Sequence, residues 1–173
     1  MDQVEGIEII AVDDGSSDDT LSILKRYEQA NPEVVRVFHQ ENSGWGGAIM
    51  HAVDEARGTF TMVLDSDDSL DADVLRHLVA KIEELEAADA EVDLFVTNYV
   101  YDHVADHTRK RISYRKMMPR GKVFTWSDTS KPGISEYFMI HAMTYRTDTL
   151  RESGLDLPRH AAYMDSVFAL QQS

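Results

Sequence analysis

The sequence predicts an α/β fold: a mostly parallel, Rossmann-like sheet, doubly wound, with helices on its faces. Two observations carry this. Short apolar, β-branched runs alternate with helical periodicity three times before residue 95, which is the pattern of consecutive βαβ units. Two of those runs stop abruptly at clusters of carboxylates, and in a sheet of this kind the carboxyl ends of the strands form the rim where ligands bind.

The first strand is read at Gly6-Ile7-Glu8-Ile9-Ile10-Ala11-Val12, too apolar to leave a face in water, and it ends at Asp13-Asp14-Gly15-Ser16. Gly15 permits a sharp turn, and Ser17 or Asp18 is placed to cap a helix with Leu21, Leu24 and Tyr27 on one stripe, closed by Asn31-Pro32. Val34 to His39 is the second strand. Asn42-Ser43-Gly44-Trp45-Gly46-Gly47 is a glycine-rich turn into a helix from Ala48 to about Ala56. Glycines there let a backbone approach a ligand, and a helix N-terminus favours phosphate, yet the spacing matches neither common phosphate loop, so a plain tight turn stands beside that reading.

Thr61-Met62-Val63-Leu64 is the third strand and runs into Asp65-Ser66-Asp67-Asp68. After Ser69-Leu70-Asp71 follows an amphipathic helix with Val74, Leu75, Leu78, Val79, Ile82 and Leu85 on one face. Asp93 to Tyr101 reads as one further strand. Beyond Met117 the periodicity weakens. Trp126, Tyr137, Phe138, Met139, Met143 and Tyr145 gather around His141 and read as core, Thr147 to Ser153 as a short helix closed by Gly154, and Ala161 to Leu170 as a helical segment carrying Asp165. Asp165 is either a cap or a general base facing a cleft.

Composition narrows the function. With 173 residues, 43% hydrophobic, the chain suits one globular domain. Cysteine is absent, which removes disulfides, thiolate metal sites and a cysteine nucleophile. No apolar run approaches a membrane span, and the first residues lack the features of a signal peptide, so a cytoplasmic location is the simplest expectation. The net charge of −14 argues against a nucleic-acid binder. The exception is Thr108 to Lys122, where Arg109, Lys110, Arg111, Arg115, Lys116, Arg120 and Lys122 occur without one acidic residue. It is either a solvated basic face or a contact to an anionic acceptor.

Asp65, Asp67 and Asp68 at a strand's carboxyl end suit a hard cation. Mg²⁺ and Mn²⁺ prefer one or two carboxylates together with substrate phosphate oxygens. Taken alone, the same residues also suit an acidic turn capping the next helix. The fold tips the balance, because it gathers Asp13-Asp14 and Asp65 to Asp68 onto one rim.

These residues resemble the family 2 glycosyltransferases, whose fold is the nucleotide-sugar-binding GT-A type. The resemblance runs through EIIAVDDGSSDDT (8 to 20), QENSGWGGA (40 to 48), ARGTFTMVLDSDDSLDADVL (56 to 75) and, more loosely, HAMTYRTDTL (141 to 150) and YMDSVF (163 to 168). It implies an inverting transfer of a sugar from a nucleotide-diphosphate donor to a hydroxyl of a saccharide or lipid-linked acceptor, in bacterial surface polysaccharide synthesis, in the cytoplasm or at the inner membrane face. By similarity Asp13 and Asp14, with Gly15, Ser16, Asn42 and Gly44, line the donor pocket. Asp65 and Asp67 form the D-x-D pair, Asp65 toward the ribose and Asp67 toward a Mg²⁺ or Mn²⁺ on the diphosphate, and Asp165 stands as general base.

Three features depart from the family pattern. The usual opening strand with its Pro-x-Tyr-Asn-like end, and the helix after it, are not found before Ile7, so the chain is expected to be a fragment that also lacks a C-terminal region. Ala48 is followed by Ile49 and Met50 where the family carries Ala-Arg-Asn, which leaves the nucleotide open. Met164 stands where Glu is common. Two other readings remain: a GT-A remnant that only binds nucleotide sugar, and a phosphoacceptor receiver domain, which the carboxylate triplet and the glycine-rich turn disfavour. A sheet edge left open by a missing strand favours a homodimer.

Overall fold

The computed structural model describes residues 4–103, 105–130 and 138–160. Its elements run β1 (Ile9–Asp13), α1 (Thr20–Ala30), β2 (Val35–His39), α2 (Gly44–Glu55), β3 (Phe60–Met62), α3 (Ala72–Ala87), β4 (Leu94–Val96), β5 (Tyr99–His103), β6 (Thr108–Ile112), β7 (Met143–Arg146) and α4 (Thr147–Glu152). The first unit is as the alternation requires. β1 and β2 pair in parallel with Asp13 opposite His39, and α1 connects them.

The later strands depart from a uniformly parallel sheet. β3 and β4 each pair antiparallel with β7, in the order β3-β7-β4, so they run in the same direction with a reversed strand between them. The expected single strand from Asp93 to Tyr101 is broken at Thr97 and Asn98. Thr97 donates its amide to the carbonyl of Ala142, while the Asn98 side chain accepts the amide of Tyr114. β5 thereby leaves the three-stranded sheet and pairs with β6 as a separate antiparallel hairpin, so the described strands form three sheets, β1-β2, β3-β7-β4 and β5-β6.

Helix α2 is the joint between these parts. Its buried Ile49 and Val53 pack with Met143 and Tyr145 of β7, Leu150 of α4, and Ile140, Leu155 and Leu157. Burying side chains of this size contributes about 1.5–3 kcal/mol each. Arg151 of α4 seals the end of α2, donating to the carbonyls of Val53, Asp54 and Ala56 at 2.9, 3.2 and 2.6 Å, groups a helix leaves unpaired at its C-terminus. Thr147 does the same for the loop before β3, its hydroxyl reaching the Gly58 carbonyl at 2.6 Å. A second cluster, Tyr114, Met117, Met118 and Ala142, lies under the base of the β5–β6 hairpin.

The core reading of the aromatic and methionine stripe holds for Met143 and Tyr145, which are buried. Trp126 is instead half exposed. Two helix stripes are also narrower than the periodicity implied: Tyr27 of α1 and Val74 of α3 face solvent. Each sits at the margin of its stripe. Helix α3 is capped as its sequence suggests, the Asp71 carboxylate accepting from the amides of Asp73 and Val74. Among the described residues no helix is long and apolar enough to cross a membrane.

Candidate functional site

The two acidic clusters lie at or just past the carboxyl ends of β1 and β3, which belong to two separate sheets, β1-β2 and β3-β7-β4, and not on the rim of one sheet as the alternation suggests. The first is built deeply into the protein. Asp13 is 2% exposed, and its Oδ2 meets His39 Nδ1 at 2.6 Å across the β1–β2 pair. The Ser16 hydroxyl, then His39 and the Ser16 amide, hold Asp13 below the usual carboxylate range against the upward pull of burial. Oδ1 is a buried acceptor without a hydrogen-bond partner by geometry among the described residues, a condition that costs free energy unless a donor reaches it.

Asp14 organises the loop opposite. Its Oδ1 accepts from Gln40 Nε2 at 2.7 Å and from the amide and hydroxyl of Ser43 at 2.8 and 3.2 Å, and its Oδ2 from the Gly44 amide at 2.8 Å. Burial pushes this carboxyl upward, but the donors from Ser43, Gln40 and Gly44 outweigh it, and its pKa is lowered. Asn42 completes the contact, donating to the Asp14 carbonyl at 3.0 Å. A carboxylate thus sits on the N-terminus of α2, where the helix presents unpaired amides and a positive dipole end. Two of the amides that the glycine-rich turn offers to a phosphate are occupied by Asp14.

The glycines of that turn have a structural cause as well. Gly15 and Gly44 hold φ values of +77° and +79°, a region that side chains rarely adopt. A Cβ on Gly44 would lie 2.6 Å from the backbone nitrogen of His160, and one on Gly46 would lie 2.7 Å from the Pro158 carbonyl oxygen. The segment 157–160 packs directly onto the start of α2.

The second cluster is open. The strand before it stops at Met62, two residues short of the apolar run's end, and Leu64 is exposed. A turn follows, closed by the Asp68 amide on the Asp65 carbonyl at 3.1 Å. Asp65 accepts from the indole N–H of Trp45 at 2.8 Å. Asp68 meets His141 Nδ1 at 3.2 Å. Asp67 is exposed and has no hydrogen-bond or ion-pair partner among the described residues. Asp165 lies outside the described residues, so its relation to this rim is not part of the geometry.

A continuous path therefore joins the two clusters: Asp14 holds Ser43 and Gly44, Gly44 begins α2, and the next residue, Trp45, holds Asp65. Trp45, Gln40, His39 and His141 belong to this network and were not among the residues singled out for the site. Only His39 had a readable signal, since it ends the strand paired with the one ending at Asp13. Among the described residues no three carboxylates or histidines converge closely enough to hold a metal alone. Asp67, exposed and unengaged, fits a cation that draws its remaining ligands from a substrate and water.

The sequence profile of the family described as Glycosyl transferase family 2 matches residues 2–145. Among curated relatives, a putative glycosyltransferase, EpsH, of Bacillus subtilis (strain 168) is 35% identical over 96 residues, covering 56% of this chain and 26% of its own. A putative teichuronic acid biosynthesis glycosyltransferase, TuaG, of the same organism is 41% identical over 68 residues, 39% of this chain and 27% of its own. Among solved structures, S. aureus TarS 1-349 in complex with UDP-GlcNAc superposes with a TM-score of 0.65 at 21% identity, over 98% of this chain and 45% of that one. The chain spans about a quarter of the length of these curated relatives and under half of that structure.

Proposed function

We propose, from the premise that this chain belongs to the family 2 glycosyltransferases and has their GT-A type of fold, that it binds a nucleotide-diphosphate sugar across the two acidic clusters and transfers the sugar with inversion to an acceptor hydroxyl. The observation that supports this is the path Asp14–Gly44–Trp45–Asp65, which links the acidic ends of two separate sheets, β1-β2 and β3-β7-β4, through the start of α2. Polysaccharide synthesis is the setting that relatives such as the teichuronic acid enzyme support. The UDP-GlcNAc bound to the structural neighbour makes a UDP sugar the first donor to test.

In this reading the base and ribose lie over Asp13 and Asp14, and the unpaired Asp13 Oδ1 takes a hydrogen bond from the nucleotide. Trp45 fixes the Asp65 carboxylate toward the ribose. Asp67 would hold a Mg²⁺ or Mn²⁺, which would supply positive charge to offset that building on the leaving diphosphate. Asp165 takes the proton of the attacking hydroxyl, and that hydroxyl displaces the diphosphate directly, so no enzyme nucleophile is required. Calorimetry with UDP, GDP and dTDP sugars, with and without Mn²⁺, tests the reading. Metal-dependent binding of one donor is expected, and absence of binding by all of them would sink it. Asp165→Asn separates the catalytic step, since donor binding should survive while transfer stops.

A further inference from the structure

The basic segment is the part of the sequence that the donor site leaves unused. Lys110, Arg111, Arg115, Lys116 and Arg120 are all exposed, and none of their side chains has a hydrogen-bond or ion-pair partner among the described residues, although Arg109 beside them meets Asp102. Elsewhere the cations are mostly engaged: Lys25, Arg36, Arg76, Lys81, Arg146 and Arg151 each meet a carboxylate. In a protein of net charge −14, carboxylates are abundant. A set of unpaired cations is therefore a local departure, and it is held in place by the fold.

The holding is specific. The turn Tyr114–Met118 is closed by the amides of Met117 and Met118 on the Tyr114 carbonyl, at 2.8 and 3.0 Å. Tyr114, Met117 and Met118 are buried at 6, 5 and 7% exposure, so the two residues between them, Arg115 and Lys116, are the ones left in water. On the hairpin Lys110 is paired with Tyr101, and directly opposed residues share a face of an antiparallel pair. Tyr99 lies two residues along that same face. Its ring stands edge-on to Tyr101 at 5.2 Å, near Tyr114 at 6.4 Å, and edge-on to His141 at 4.8 Å. His141 in turn touches Asp68 of the acidic rim. An aromatic ladder thus leads from the cations to the proposed donor site.

We infer that Lys110, Arg115 and Lys116 form the acceptor-binding surface, and that the acceptor is an anionic glycan chain carrying carboxylate or phosphate groups, laid along Tyr101 and Tyr99 toward Asp68. The inference rests on the glycosyltransferase reading. Its physical basis is that a polyanion is repelled by the molecule as a whole and needs a fixed patch of opposite sign beside the reacting centre. Half-exposed Trp126, edge-on to Phe138 beside Tyr114, adds an apolar ring face of the kind sugars stack on. The ladder's direction, toward the acidic rim, favours a substrate over a membrane surface.

The test uses the whole chain and a charge-reversed variant, Lys110→Glu with Arg115→Glu and Lys116→Glu. Binding is measured at low and high salt to polygalacturonate oligosaccharides, poly(glycerol phosphate), neutral dextran and phosphatidylglycerol vesicles. At least one anionic polymer should bind and dextran should not. Binding of that polymer should weaken about tenfold in the variant and fall with added salt. The corresponding triple Gln variant should weaken it in the same direction, which covers a charge-reversed chain that fails to fold. Equal polymer binding by wild type and variants, no polymer binding at all, or binding to vesicles only would overturn the inference. UDP-sugar calorimetry on the same samples keeps the readings apart: wild type that binds polymer but no donor speaks against the transferase reading, whereas donor binding with unaltered polymer binding in the variants speaks against this surface.

Discussion

The acidic clusters at or just past the ends of β1 and β3, in two separate sheets, are alike in sequence and opposite in physical state. At β1, Asp13 is buried against His39, and Asp14 accepts four hydrogen bonds from Gln40, Ser43 and Gly44. At β3, Asp65 and Asp68 have one side-chain partner each, Trp45 and His141, and Asp67 has none among the described residues. A carboxylate that already satisfies several donors is part of the framework. One that faces water without a partner is available to a ligand. The difference teaches that like sequences at two strand ends take different structural parts, the first engaged in the protein's own hydrogen bonds and the second left largely to solvent.

The comparison breaks most severely at Gly44. Gly44→Ala forces a side chain into a positive-φ position and against the His160 backbone, and a loss of about 2–3 kcal/mol is expected in chemical denaturation. Asp14→Ala comes next. It frees the amides of Ser43 and Gly44, at a cost of about 1–2 kcal/mol after allowance for partial exposure, and should also loosen donor binding.

The acid limb of stability sharpens the same contrast. Asp13 and Asp14 have pKa values lowered from 3.8, so below 3.8 the unfolded chain takes up protons first. Their stabilisation is complete above that value and is lost as pH falls through the lower folded-state values. Asp14→Asn should flatten this acid limb, read by thermal melting against pH, and an unchanged slope would remove Asp14 from the framework.

Smaller effects belong to the second cluster. Trp45→Phe keeps the ring's bulk and loses the bond to Asp65, so it should cost about 1 kcal/mol or less in stability and weaken donor binding more than it weakens the fold. Asp67→Ala should leave the melting transition in place, because the side chain is exposed and touches nothing described. Metal-dependent donor binding should disappear with it, and affinity unchanged by the substitution would assign the cation elsewhere.

The strand ends were legible in the chain itself. Apolar runs ending before Asp13-Asp14 and Asp65 to Asp68 marked them, and the glycines of residues 44–47 marked a turn into a helix, because alternation and backbone freedom are local properties of the residues that show them. That the two ends stand in separate sheets was not legible, since strand pairing is made between distant parts of the chain. The break at Thr97 and Asn98 was not legible. Thr97 suits a strand and Asn98 sits within an apolar run, and the break follows where the Ala142 carbonyl and the Tyr114 amide take their hydrogen bonds from distant parts of the chain.

The sequence by itself therefore determined the α/β class, the family, and which carboxylates stand at strand ends. Only the tertiary structure decided that the close approach at Gly44 is to the His160 backbone, that Asp14 caps α2, that Trp45 joins the two clusters, and that the side chains of Lys110, Arg111, Arg115, Lys116 and Arg120 are unpaired among the described residues, near an aromatic path to Asp68. The reason is physical. Which side chains a strand end presents follows from period and composition, whereas which donor reaches which carboxylate depends on helices and loops brought together from tens of residues away.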